Sequence, residues 1–112
     1  MNTYDVVVFG SINLDVVTHV KDYPHYGDSV LAKKIETIPG GKGANQAITV
    51  AKQGSQMLFI SSVGKDSSGK QMLQNLQSYG VGTDKILLSE ESGTGMYVIF
   101  VDEHGENTMA GS

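Results

Sequence analysis

The 112-residue chain has no cysteine. That excludes a disulfide framework and any thiolate metal site, and it makes a reducing, cytoplasmic setting the expectation. Arginine is absent too. The basic residues are eight lysines dispersed among twelve acidic residues, for a net charge of −4. With neither a basic stripe nor a guanidinium, a nucleic-acid partner is not expected. Long hydrophobic runs are also missing. The opening MNTYDVVVFG has no basic leader, and its apolar stretch is too short for a signal peptide or a membrane span, so no membrane partner is expected. The three histidines lie apart, without ligand spacing to carboxylates, which argues against a metal centre. No G-x-S-x-G or Ser-His-Asp arrangement is visible. Nothing is repeated, low in complexity or linker-like, and the length allows one domain at most.

Glycine, in contrast, is abundant at 14 residues. It is most concentrated in residues 40–54, GGKGANQAITVAKQG. Gly40, Gly41 and Gly43 permit a sharp turn and a close approach of a ligand to the backbone. Beyond them Ala44, Ala47, Ile48 and Ala51 recur at i, i+3, i+4 and i+7, which predicts an amphipathic helix over 44–53 ended by Gly54. A glycine turn feeding a helix N-terminus offers free N–H groups at the positive end of a dipole. It suits an anion, or an oxygen that gains negative charge.

Read from the start, Tyr4–Phe9 is a continuous β-branched and apolar run closed by Gly10. It has the pattern of a strand buried on both faces in a parallel sheet. Asn13 and Asp15 then fall just past its C-terminal end, where ligands gather in open α/β sheets. Two short polar side chains two apart can grip a polyol together, or can simply shape a turn. Strands are predicted at Val16–Val20 and Ser29–Ile38, separated by a DYPHYGD turn. The second is partly polar and suits a small exposed sheet. Met57–Val63 reads as another strand apolar on both faces. A helix follows, capped by Asp66 or Ser67, with Met72, Leu73, Leu76 and Tyr79 on one face and Gly80 at its end. Lys85–Leu88 and residues 94–101 complete the strands. The latter is apolar on both faces and needs two covers, which a ligand and a partner subunit would supply. This order predicts a parallel α/β sheet.

Residues 64–70, GKDSSGK, match the spacing of a phosphate loop. The residue that should offer a hydroxyl to Mg²⁺ is Gln71, however, and no apolar strand ending in an exposed Asp follows to complete the site. The loop therefore reads as a turn and helix start. Lys42 could bond a sugar hydroxyl or neutralise an anion, and is otherwise a solvated loop lysine. Asn45 can donate to and accept from a polyol, or help cap its helix. Together, Asn13, Asp15, the glycines, Lys42 and Asn45 make a donor- and acceptor-rich set of the kind a neutral sugar requires.

GGKGANQA, followed by Gly54 and Gly64 at fixed spacing, resembles the N-terminal signature of the ribokinase (PfkB-type) family of carbohydrate kinases. The opening VVVFGSINLDVV and the segment GTGMYVIFVDEHGEN are more similar to the ribokinases than to the fructokinases or adenosine kinases. The resemblance runs over essentially the whole chain. It implies an αβα sandwich with a small β-sheet lid, formed by segments within 16–38 and 94–110, that closes over the sugar and packs against a second lid in a homodimer. It also implies sugar contacts from Asn13, Asp15, Gly41, Lys42, Gly43 and Asn45, and transfer of the γ-phosphoryl of MgATP to the 5-hydroxyl of ribose or a related pentose.

The family's G-A-G-D-type motif, which holds the catalytic Asp and the anion-hole glycines, occurs nowhere in the chain. The nucleotide pocket and the monovalent-cation loop belong to the same C-terminal half. The resemblance therefore covers residues 1–112 as the sugar-binding and lid portion of one kinase domain. That portion is expected to be inactive alone, to bind no nucleotide, and to leave a sheet edge and part of a face uncovered. The alternative is a stand-alone sugar-binding or lid-pairing module that joins an intact kinase.

Overall fold

The computed structural model describes residues 3–112. In chain order the elements are β1 (Val6–Phe9), β2 (Asn13–His19), β3 (Lys34–Gly40), α1 (Lys42–Lys52), β4 (Met57–Gly64), α2 (Ser67–Ser78), β5 (Ile86–Ser89), β6 (Gly95–Val101) and β7 (Asn107–Gly111). They form two compact units, one from the segment ending at Leu14 together with Pro39–Gly95, the other from Asp15–Ile38 and Met96–Ser112.

The first unit is built on a parallel sheet in the order β1-β4-β5. Val6 pairs with Met57 through to Phe9 with Ile60, and Ser61 with Ile86 through to Gly64 with Ser89. Both crossovers step the same way across the sheet, so their right-handedness places α1 and α2 on one face. Under the helices lie Met57, Phe59 and Val63, with Ala44 and Ala47 from α1 and Met72 and Leu76 from α2, all buried. The helix ends follow the sequence. Gln53 caps α1 and Gly54 turns out with φ +86°. Beyond α2, Gly80 N–H donates to Gln77 O and Val81 N–H to Leu76 O, a Schellman closure that tucks Val81 against the core.

The opposite face is bare. Val7, Phe9 and Leu87 are 57%, 82% and 71% exposed, and Leu58 and Ile60 between them are only half-buried. Tyr4–Phe9 and Met57–Val63 have the composition of strands buried on both sides but are covered on one, and the bare side agrees with the partly uncovered face expected of this portion. Their first faces are covered by helices, but no described residue of this unit covers the second. The continuous apolar runs are those of a parallel sheet sandwiched between layers, and only one layer lies within the unit.

The second unit contains a sheet in the order β3-β2-β6-β7. β6 and β7 are antiparallel, Tyr97 opposite Gly111 through to Val101 opposite Asn107. Val17 and Val20 are its buried apolar residues. Backbone bonds tie its loops down: Val20 N–H donates to Val101 O at 2.9 Å and Lys33 N–H to His19 O at 2.7 Å. The Tyr23 hydroxyl donates to Glu106 O at 2.5 Å. Across β2 and β3, His19 Nε2 lies 3.0 Å from Glu36 Oε1, and Lys34 Nζ lies 3.1 Å from Glu36 Oε2. These bonds, from His19 first and then Lys34, hold the Glu36 carboxyl below its usual range. β3 starts at Lys34 rather than Ser29. Val30 and Leu31 are exposed, so residues 29–33 gain no burial to reward pairing. β2 starts earlier than Val16, at Asn13.

Candidate functional site

The segment leaving β1 is held on two sides. Gly10 N–H donates to Ile60 O at 3.3 Å, and the Ser61 hydroxyl donates to Gly10 O at 2.5 Å. From the other side comes α1, which begins at Lys42, two residues before the sequence places it. A Cβ on Gly43 would stand 2.6–2.7 Å from Gly10 C, Gly10 Cα and Ser11 N. Only glycine lets the helix end approach β1 this closely. At Gly41, φ is +105° and a Cβ would meet Ser11 O at 2.5 Å, so both conformation and space demand glycine there. The contact is sealed by Ala44 N–H donating to Ser11 O at 3.1 Å.

The first turn of α1 is consequently pinned beside residues 10–12 while its cap stays open. Gly41 is the N-cap residue and has no side chain to offer. Ala44 N–H is taken by Ser11 and Asn45 N–H by Gly41 O at 2.9 Å, which leaves the N–H groups of Lys42 and Gly43 at the positive end of the helix. Lys42 and Asn45 are both exposed and three residues apart, hence neighbours on the helix surface. Asn13 follows directly on the pinned segment and is half-buried. The first unit therefore sets Gly41, Lys42, Gly43 and Asn45 at one helix end beside Ser11 and Ile12, with Asn13 the next residue along the chain. Asp15 lies two residues further along β2, on the same strand face as Asn13, and belongs to the second unit. Gly10 and Ser11 are the residues sequence reasoning missed. Their part is played by backbone atoms, and the only signal was the smallness of the G-S pair after the strand.

The second glycine turn, Gly64–Lys70, is built to a different end. Asp66 is the N-cap of α2, and its Oδ1 accepts from Gly69 N–H at 2.7 Å. The same carboxylate accepts from the Thr94 hydroxyl at 2.7 Å and from Thr94 N–H at 3.0 Å, while Thr94 Oγ1 accepts from Gly64 N–H at 3.0 Å. These bonds, the Thr94 hydroxyl first, hold the Asp66 carboxyl below its usual range. Lys65 Nζ is paired with Glu90 at 3.0 Å. A cavity of about 340 Å³ adjoins the turn, lined by Lys65, Asp66, Ser67, Lys70, Leu73 and Leu88. A carboxylate thus occupies the place a phosphate would take, and Gln71 has no hydroxyl for a metal. The loop does not fit a nucleotide. Among the described residues no helix is long and apolar enough to cross a membrane.

Known proteins share this fold. Residues 3–111 match the pfkB family carbohydrate kinase model. The chain is 37% identical over 107 residues to a ribokinase of Bacillus subtilis, covering 94% of this chain and 36% of that protein. To a deoxyribokinase of Salmonella typhi it is 32% identical over 105 residues, covering 94% of this chain and 34% of the other. The structure of Arabidopsis thaliana ribokinase complexed with ribose and ATP superposes with a TM-score of 0.91 at 31% identity, over 99% of this chain and 36% of that one. The chain thus spans about a third of the length of the relatives it matches. With the signature of residues 40–54 folded as an open helix N-terminus, and the family model matched nearly end to end, the chain belongs to the pfkB family of carbohydrate kinases.

Proposed function

We propose that this chain supplies the sugar-binding portion of an ATP-dependent pentose kinase of the ribokinase type, with D-ribose as substrate and its 5-hydroxyl as the group phosphorylated. The observation that carries this reading is the open N-terminus of α1, pinned beside residues 10–12, which lead directly into Asn13, and flanked by Lys42 and Asn45. A sugar presents hydroxyls that both donate and accept. The Asn13 and Asn45 amides and the Asp15 carboxylate would pair with them, Lys42 would donate, and the N–H groups of Gly41, Lys42 and Gly43 would bind an oxygen at the positive end of the helix. The second unit would act as the lid, with the apolar strand β6 covering the sugar and pairing with a second copy in a homodimer.

MgATP, with a monovalent cation, would supply the phosphoryl group in a longer cytoplasmic enzyme. The residues in hand bind and orient the attacking alcohol, which is the positioning part of such catalysis. No G-A-G-D motif occurs among the 112 residues, so the base and anion hole would come from a portion of the fold outside them. The bare apolar face of the β1-β4-β5 sheet supports a missing layer on that side. Calorimetric titration of the chain with D-ribose and 2-deoxyribose tests the reading. Saturable ribose binding is expected, weakened about fivefold by Lys42→Ala or Asn45→Ala, the loss of about one hydrogen bond. A folded chain that binds neither sugar would refute the sugar site. ATP-dependent ribose phosphorylation by the chain alone would refute the division of labour.

A further inference from the structure

The polypeptide crosses between the two units three times, at Leu14–Asp15, Ile38–Pro39 and Gly95–Met96. On the first unit's side, the first two crossings are rooted at the N-terminus of α1, where Gly41 lies against Ser11 and Ile12. The third is rooted at the N-terminus of α2. Thr94, only 9% exposed, is the last residue before β6, and both its N–H and its hydroxyl end on the Asp66 carboxylate. Thr94 Oγ1 in turn receives Gly64 N–H from the end of β4. Neither Gly64 nor Gly69 has room for a Cβ against this cluster, since each would run into backbone or the Asp66 and Thr94 side chains. Asp66 therefore does more than a helix cap requires. One bond to Gly69 N–H suffices for capping; the bonds to Thr94 fix a strand that leaves the unit altogether.

We infer that Asp66 is a positioning residue for β6: through Thr94 it anchors the backbone at the start of that strand. The two roles of the carboxylate separate chemically. Asn at position 66 keeps an oxygen for Gly69 N–H, but its NH₂ group faces Thr94 N–H as donor against donor. Thr94→Val removes the hydroxyl at nearly constant shape, and Thr94→Ser retains it.

The test is residue-resolved amide hydrogen exchange on the full chain, wild type against Asp66→Asn, Thr94→Val and Thr94→Ser, with no ligand present. Its failure is therefore separate from failure of the sugar reading. Asp66→Asn and Thr94→Val should each speed exchange about tenfold or more at Thr94 and through Met96–Val101, the scale set by losing a bond to a charged acceptor. The Lys70 and Met72 amides of α2 should stay at wild-type rates, and Thr94→Ser should behave as wild type. Response confined to Thr94 and Gly69 would reduce the cluster to a local cap and overturn the inference. An equal loss of protection in β4, α2 and β6, or failure of both variants to fold, would overturn it as well, because the cluster would then support the whole fold rather than β6.

Discussion

Gly43→Ala puts the close approach of α1 to β1 under direct strain. The new methyl would stand 2.6–2.7 Å from Gly10 C, Gly10 Cα and Ser11 N, all backbone atoms, so no change of rotamer relieves it. Carbon–carbon contact is comfortable at about 3.5–4.0 Å, so the helix end must retreat by roughly 1 Å. Overpacking of this kind costs about 1–3 kcal/mol. Retreat also stretches the 3.1 Å bond from Ala44 N–H to Ser11 O, worth about 0.5–1.5 kcal/mol. Replacing glycine inside a helix returns about 1 kcal/mol through propensity. The balance is a loss of about 1–3 kcal/mol, which at a slope of about 1–3 kcal/mol per molar urea lowers the unfolding midpoint by about 1 M. Gly54→Ala is the control. Its φ is +86° with nothing within 4 Å, so its cost of about 1–2 kcal/mol comes from left-handed backbone alone. Urea titration followed by circular dichroism, paired with ribose titration, separates the two. Only Gly43→Ala should move Lys42 and Asn45 and so weaken the ribose binding proposed for them. A Gly43→Ala chain as stable as wild type, or more so, would refute the claim that this contact needs glycine.

Two further outcomes test the layers and the acid response. Phe59→Ala, at a fully buried position, should cost about 3–5 kcal/mol, whereas Phe9→Ala on the bare face should stay within about 0.5 kcal/mol; an equal cost by urea titration would mean that both faces are covered. Because the folded Asp66 carboxyl titrates below its unfolded value, its contribution to stability is complete above about pH 4 and is lost as pH falls through the folded pKa. Carboxyl-carbon NMR should place its inflection below that of an ordinary aspartate, and Asp66→Asn should flatten the acid limb of the stability curve; an inflection at or above the ordinary value would contradict the bonds to Thr94.

How much of this the sequence disclosed depended on whether the information was local. Gly54 and Gly80 end their helices because the stop signal is a single residue that can adopt positive φ. The 40–54 stretch declared a helix behind a glycine turn because periodicity and punctuation are written within a dozen residues. Its true start at Lys42 was hidden, since Lys and Gly at the first two positions are placed by contact with residues 10–12. The runs VVVF and MLFISSV declared parallel strands correctly, yet their composition describes a sheet covered on both sides, and composition cannot say where the second cover comes from. The cap was legible only as Asp66 or Ser67, and the bonds from Asp66 to Thr94 join residues 28 apart in sequence, a pairing no local pattern carries.

The two glycine turns show why a motif's spacing is weaker evidence than the occupant of its cap. Both lead into a helix whose first N–H groups need acceptors. In Gly64–Lys70 the match to a phosphate loop is closer in spelling, yet the third residue of that match is an aspartate whose carboxylate already receives Gly69 N–H and both donors of Thr94. An anion arriving there would have to displace a covalently attached one. In residues 40–45 the cap is Gly41, which has nothing to place over the helix, and the neighbouring backbone supplies a single carbonyl, that of Ser11, to Ala44. The open turn is also the one that carries Lys42 and Asn45 at the surface, and the residues 10–12 against it lead into a half-buried Asn13. Of the two, the turn that resembles a textless glycine kink is the one with hydrogen-bonding capacity left for a ligand, and a substitution that filled its cap would close it as Asp66 closes the other.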